Sequence, residues 1–241
     1  QLDRMRNPQN HHGDSALIVA AWYGHERIVE TLLTVRAEVN LTNRDGNSAL
    51  NCAALQGHLR VVELLLDASA ELEAPDMVTG KTALLKACYA GHVGVVNELL
   101  ESGADPDAAD TNGYTPLAFA TSFGHHMTMQ ALLRHGACAS SADLFGVTPL
   151  MLSSTRGDAD AVAMLLQAEA DVSAVDTDGR TAADYAESGD FWGILALMEE
   201  HAREVRGSGG GGGGGGCERE RARGAAGGAV RDAARPGEHG R

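Results

Sequence analysis

The chain runs to 241 residues, with 44% apolar, 22% charged and only 4% aromatic side chains, and eight of its 30 glycines form an unbroken run from Gly209 to Gly216. That run divides a body of about two hundred residues, long enough to hold a core, from a short tail. Net charge is −14, with 13 Lys/Arg against 29 Asp/Glu before Gly207, which argues against nucleic acid as a partner because phosphate binding rests on clustered basic residues. No stretch reaches the ~18 apolar residues of a membrane helix and no secretory leader is visible, so no membrane partner is expected. Four cysteines, Cys52, Cys88, Cys138 and Cys217, show no paired spacing; free thiols and an intracellular location, cytoplasmic or nuclear, follow.

In chain order, residues 1–9 read as the end of an earlier connection. From there one pattern recurs, as Gly13-Asp-Ser-Ala-Leu17, Gly46-Asn-Ser-Ala-Leu50, Gly80-Lys-Thr-Ala-Leu84, Gly113-Tyr-Thr-Pro-Leu117, Gly146-Val-Thr-Pro-Leu150 and Gly179-Arg-Thr-Ala-Ala183, at spacings of 33 or 34 residues. Such a period sets the architecture before any single motif is read. Ser15, Ser48, Thr82, Thr115, Thr148 and Thr181 each stand where a helix N-cap should be, and Pro116 and Pro149 occupy the first helical position, where a missing N–H costs nothing. Gly24, Gly57, Gly91, Gly124 and Gly157 supply left-handed stops to these first helices. A second helix follows in each unit, with an apolar stripe ending in Leu32-Leu33, Leu65-Leu66, Leu99-Leu100, Leu132-Leu133 and Leu165-Leu166. A helix pair of this size cannot bury its stripe alone, but stacked copies share one continuous core.

In the last unit Ile194, Leu195 and Met198 continue the stripe while Glu199 and Glu200 replace the leucine doublet, as a C-terminal cap requires. Beyond Arg206 the Gly-rich linker and the Cys217-Glu-Arg-Glu-Arg segment hold almost no branched apolar residue, and a disordered tail is expected. The organisation is therefore 1–9, connection; 10–206, repeat domain, with units at about 10–42, 43–76, 77–109, 110–142, 143–175 and 176–206; and 207–241, linker and tail.

The succession G-x-T-P-L, G-H, V-V-x-L-L and G-A-D at a 33-residue period resembles the ankyrin repeat. The resemblance implies an all-α solenoid of about six helix-turn-helix repeats joined by β-hairpin-like turns. Two departures stand out. The histidine of the family's T-P-L-H is replaced by Ile18, Asn51, Leu85, Ala118, Met151 and Asp184. The loop glycine kept at Gly103 and Gly136 becomes Arg36, Ser69 and Glu169, each costing about 1 kcal/mol if the left-handed geometry persists.

Motifs that could carry chemistry dissolve into the repeat. Gly80-Lys81-Thr82 has Pro75 where a phosphate-binding loop needs its first glycine, and Asp176-Thr-Asp178-Gly179 has Ala174 and Tyr185 at the outer ligand positions of a calcium loop. The in-phase histidines His25, His58, His92 and His125 lie on helices ~8–10 Å apart, too far to share a zinc ion held at ~2 Å; backbone hydrogen bonds at the starts of second helices explain them better. Cys52 and Cys88 read as small buried hydrophobes. No nucleophile has a visible base, so no enzyme, cofactor or metal is expected.

Four of the ten aromatics, Phe119 and Tyr185 in first helices and Phe191 and Trp192 in the cap, are explained by packing. The other six are not. Trp22, Tyr23, Tyr89 and Phe123 fall just before the helix-ending glycine, and Tyr114 and Phe145 flank hairpin glycines. Such positions line the concave face in the family that the sequence resembles, so Trp22, Tyr23, Leu55, Tyr89, Tyr114, Phe123, Leu144 and Phe145 form the expected partner-binding set. Between Glu101 and Asp190 fourteen acidic residues face three arginines; Asp105, Asp107, Asp110, Asp171, Asp176 and Asp178 are taken as acidic tips for a basic segment of a protein partner. The expected function is a monomeric, non-enzymatic interaction scaffold or adaptor. The alternative is the targeting arm of a longer enzyme, such as a kinase, an acyltransferase or a ubiquitin-ligase subunit.

Overall fold

A computed structural model describes residues 9–207; the expected disordered tail, Cys217 and most of the N-terminal connection lie outside them. Among the described residues the chain forms twelve helices and no strand. They come as six pairs: α1 (Ala16–Trp22) and α2 (Glu26–Thr34), α3 (Ala49–Gln56) and α4 (Leu59–Asp67), α5 (Ala83–Ala90) and α6 (Val93–Glu101), α7 (Pro116–Phe123) and α8 (His126–Arg134), α9 (Pro149–Arg156) and α10 (Ala159–Gln167), α11 (Ala182–Ser188) and α12 (Trp192–Gly207). First helices pack on first helices and second on second. The expected all-helical solenoid is the fold observed.

Each first helix starts where the sequence places it, because each Ser or Thr oxygen accepts the N–H three residues on: Ser15 from Ile18, Ser48 from Asn51, Thr82 from Leu85, Thr115 from Ala118, Thr148 from Met151 and Thr181 from Asp184. The cap satisfies a donor that helix geometry otherwise leaves orphaned. The core is a single ribbon of buried side chains. Leu50, Leu84, Leu117 and Leu150 from the first helices meet Val62, Val96, Met129, Val162, Leu65, Leu99, Leu132 and Leu165 from the second. Ile194 and Met198 of α12 extend the ribbon, while Glu199 and Glu200 are exposed.

Two further devices join one repeat to the next. At the hairpin tips, a backbone N–H of each repeat donates to a carbonyl of the repeat before it: Arg44 to His12, Met77 to Asp45, Thr111 to Thr79, Leu144 to Asn112 and Thr177 to Phe145, at 2.9–3.1 Å. At the other end of the first helix, the imidazole Nε2 of His58 lies 3.1 Å from the Trp22 carbonyl oxygen, that of His92 3.1 Å from Leu55 O, and that of His125 3.2 Å from Tyr89 O. His58, His92 and His125, three of the four in-phase histidines, therefore bond backbone, as expected, but the carbonyl belongs to the preceding repeat.

The stop glycine makes room for this ring. A Cβ at Gly57, whose φ is +78°, would sit 2.6 Å from His92 Nδ1, so the position needs glycine for its backbone conformation and for the close approach. The fifth unit carries Asp158 where the histidine belongs, and Arg156 supplies the missing bond by donating from Nη1 to Ser122 O at 2.9 Å. Asp158 instead caps α10 through Ala161 N–H and binds His126 Nε2 at 2.8 Å. In the last pair the Phe191 ring lies against Gly157.

The hairpins are fixed by an Asn or Asp at their first position. Asn43 Oδ1 accepts from Asp45 and Asn47 N–H, Asp110 from Asn112 and Tyr114, Asp143 from Phe145 and Val147, and Asp176 from Asp178 and Arg180. Such side chains hold tight turns by standing in for backbone acceptors. In the third repeat the hairpin acid, Asp76, is also tied to the helix behind it: Lys86 Nζ lies 2.7 Å from its Oδ2, with both side chains almost wholly buried. Tyr185 makes the corresponding link in the sixth repeat, donating its hydroxyl to Asp176 Oδ2 at 2.6 Å.

Burial pushes the Asp76 carboxyl up, but hydrogen bonds from Lys86 and Thr79 outweigh it and hold the carboxyl at about 2. A depressed carboxyl contributes stability above its unfolded value near ~3.9 and loses it as pH falls toward ~2. Lys86→Met leaves that carboxylate buried without its cation and is expected to cost about 3 kcal/mol in urea unfolding at pH 7. The acid limb of stability between pH ~4 and ~2 should then flatten by about 2 kcal/mol relative to the parent.

Arg36, Ser69 and Glu169 do persist in the left-handed region, at φ of 60°, 64° and 57°. Arg36→Gly, Ser69→Gly and Glu169→Gly should each stabilise by about 1 kcal/mol, raising the melting temperature by roughly 2–4 °C apiece. A fall in melting temperature would show that these side chains make contacts that outweigh the strain.

Candidate functional site

The face of each first helix turned toward the hairpins carries the residues four, seven and eight positions after the cap. In the first four repeats these are Val19, Trp22 and Tyr23; Cys52, Leu55 and Gln56; Lys86, Tyr89 and Ala90; and Phe119, Ser122 and Phe123. The second and third members follow the first by three and four residues, about one helical turn, so each set forms a column on one face. The opposite face packs into the core. Cys52, Lys86 and Phe119 of these columns are buried, while the exposed members include Trp22, Tyr23, Tyr89 and Phe123.

Between these columns and the hairpins runs a groove. A concavity of about 580 Å³ is lined by Trp22, Tyr23, Val19, Leu55, Asp14, Asp45 and Asn51 among others. A second, of about 410 Å³, continues it through Leu55, Lys81, Lys86, Val78 and Tyr89. Trp22 is 41% exposed and Tyr23 64%, and Tyr89 and Phe123 are exposed to a similar degree as Trp22. Tyr89 meets Phe123 edge to face at 4.9 Å between ring centroids and Phe119 at 6.0 Å, and Tyr114 leans on Phe119 at 5.1 Å. Such edge contacts are the favoured geometry of paired rings. Lys81 Nζ lies 4.9 Å from the Phe119 centroid and 5.5 Å from that of Tyr89, within range of attraction to a ring face.

Of the eight residues singled out from the sequence, Trp22, Tyr23, Leu55 and Tyr89 line the groove, and Phe123 and Tyr114 join it through the ring cluster. Leu55 and Tyr114 are half-buried rather than exposed. Leu144 and Phe145 sit on the fifth hairpin tip, strongly exposed, and line neither concavity. Phe119 is buried in the core cluster, as expected, with Tyr114 and Tyr89 packed against it. One packing assignment needs correction. Trp192, at the start of α12, is 62% exposed and not explained by packing.

The acidic set divides. Asp107, Asp110 and Asp176 are buried, correcting their assignment to exposed tips. Asp107 Oδ1 accepts Cys138 N–H at 2.8 Å from the next repeat, and Asp110 and Asp176 hold their own hairpins. The Tyr185 hydroxyl and the Arg180 N–H hold the Asp176 carboxyl below the usual range. Asp105 and Asp171 are partly exposed, and Asp178 pairs with Arg180 at 2.7 Å.

Groove residues that sequence reasoning passes over are Val19, Lys81, Lys86, Asn51, Asp14 and Asp45. For Val19, Asn51 and Lys86 the signal was positional, since a residue three or four places before a marked one shares its helix face; Lys81, Asp14 and Asp45 lie in the hairpins and carry no such signal. Among the described residues no group of His, Cys, Asp or Glu is arranged to hold a metal ion, and no helix is long and apolar enough to cross a membrane. Cys52, Cys88 and Cys138 are buried and form no disulfide among the described residues, and burial pushes the Cys52 thiol up to about 12 and the Cys88 thiol upward as well.

No curated protein matches the chain. A family model, ankyrin repeats, matches it in three copies, over residues 2–76, 69–143 and 103–176. Domains of this kind are interaction modules that bind other proteins. With most of its length matched and the helix pairs, hairpins and stop glycines in register, the chain belongs to the ankyrin repeat family.

Proposed function

We propose that the protein is a non-enzymatic scaffold or adaptor, acting as a monomer inside the cell through residues 10–206, and that it grips a protein partner in the groove between first helices and hairpins. The observation that carries this reading is the set of exposed rings Trp22, Tyr23, Tyr89 and Phe123, with the half-buried Leu55 among them. Aromatic surface left open on a rigid wall disfavours the free state and rewards whatever covers it. Rigidity also lowers the ordering cost of binding.

A basic segment on the partner fits the charge. The balance from Glu101 to Asp190 is −11, and even the acids turned inward add to the field that steers a cation toward this surface. Affinity capture with the purified protein, followed by mass spectrometry, tests the reading. Trp22→Ala, Tyr89→Ala and Phe123→Ala should each weaken retention of the captured partner by roughly thirtyfold, about 2 kcal/mol. Melting temperatures should change little, because all three face away from the leucine core. Association should slow as salt rises from ~0.05 to ~0.5 M. Loss of stability with binding intact would make these aromatics structural.

A further inference from the structure

The first half of the groove carries a more specific chemistry than the rest. Its hairpin rim holds Asp14 and Asp45, and neither carboxylate has a cation within ion-pair distance among the described residues. Asp14 accepts only amide N–H groups, from Asn10 Nδ2 at 3.1 Å and Asn43 Nδ2 at 2.9 Å. Its wall is the Trp22 ring. Its floor includes Asn51, only 1% exposed, whose Nδ2 donates to Ala74 O at 3.2 Å while its Oδ1 finds no hydrogen-bond partner. A buried acceptor left unmatched is costly and marks a place where a donor is wanted. Lys86, the cation at the back of this concavity, is neutralised by Asp76.

Resting on the reading that partners dock in the groove, we propose that this concavity receives an arginine side chain of the partner segment. Two carboxylates and an amide oxygen offer acceptors from several directions, which suits a guanidinium fork with five donors better than a single ammonium. An indole wall suits the guanidinium's flat face. The concavity, about 580 Å³, is roomy enough for one long side chain and its flanking backbone. This places one basic contact on the first two repeats, in addition to the acidic stretch farther along the chain.

Trp22 and Trp192 are the two tryptophans of the chain, so the exposed Trp192→Phe change leaves Trp22 as a lone fluorescent reporter in the groove. Titration of this variant, full length, at pH 7.5 uses blocked tetrapeptides that differ only in carrying arginine, lysine, citrulline or glutamate. The arginine peptide should give a saturable change in Trp22 emission and bind about tenfold more tightly than the citrulline or glutamate peptide, with lysine between. Asp45→Asn, at an exposed site, should weaken it about threefold, and Asp14→Asn with Asp45→Asn about tenfold. Glu187→Gln with Glu200→Gln removes the same charge far from the groove and should change binding less than twofold. Equal binding of arginine and citrulline, no response to arginine, or an equal loss in the remote pair would overturn the proposal. If capture of the partner still depends on Trp22 in that case, the groove reading stands and only the arginine assignment fails.

Discussion

A pair of helices eight or nine residues long has an apolar stripe wider than anything it can cover by itself, and this shortfall governs the molecule. Leu65 is buried because α4, which carries it, packs against α2, α3 and α6, and the same holds for Leu99 and Leu132 with their own neighbouring helices. Stability in such an array is a sum of nearest-neighbour joints, so the quality of each joint matters more than the propensity of any one helix. The tip ladder and the histidine bridges are where that quality is set. They fix the spacing and angle between units at two points far apart on the helix, which leaves little freedom for one repeat to rock on the next.

Holding the units at both ends has a consequence for the face between them. The hairpins lean over the first helices, and the space enclosed by tips, helices and columns is the groove. Along it Asp76 is committed to Lys86 and Thr79, and farther along the stack Asp176 is held by Tyr185 and Arg180 and Asp107 by Cys138 N–H. Much of its lining is free because Trp22, Tyr23, Tyr89 and Phe123 are exposed, although Cys52 and Phe119 of the same columns belong to the core. A partner meets preformed relief and pays for little rearrangement.

Most of the fold was legible because repeats announce themselves by period and caps, and both are local. Ser15, Ser48 and Thr82 cap helices whatever surrounds them, and Gly24, Gly57 and Gly91 adopt the left-handed conformation that their place after a helix requires. What could not be read was contact across the period. Lys86 and Asp76 lie ten positions apart, and Arg156 reaches Ser122 in the repeat before it; neither spacing corresponds to a helix or strand rule. Asp107 looked like surface charge for the same reason, since its partner, Cys138, belongs to the next unit.

The histidine bridges have one more implication. His58, His92 and His125 bind the carbonyl oxygens of Trp22, Leu55 and Tyr89, and a carbonyl is the same group in every amino acid. The joint is therefore blind to what projects from those residues, and Arg156 does its work on Ser122 as well as histidine does on tryptophan. Positions that hold the stack together through their backbone can exchange indole, isobutyl, phenol and hydroxymethyl groups without renegotiating the assembly. Drift at these sites alters what the protein touches before it alters how the protein stands, and new specificities can be sampled on an unchanged frame.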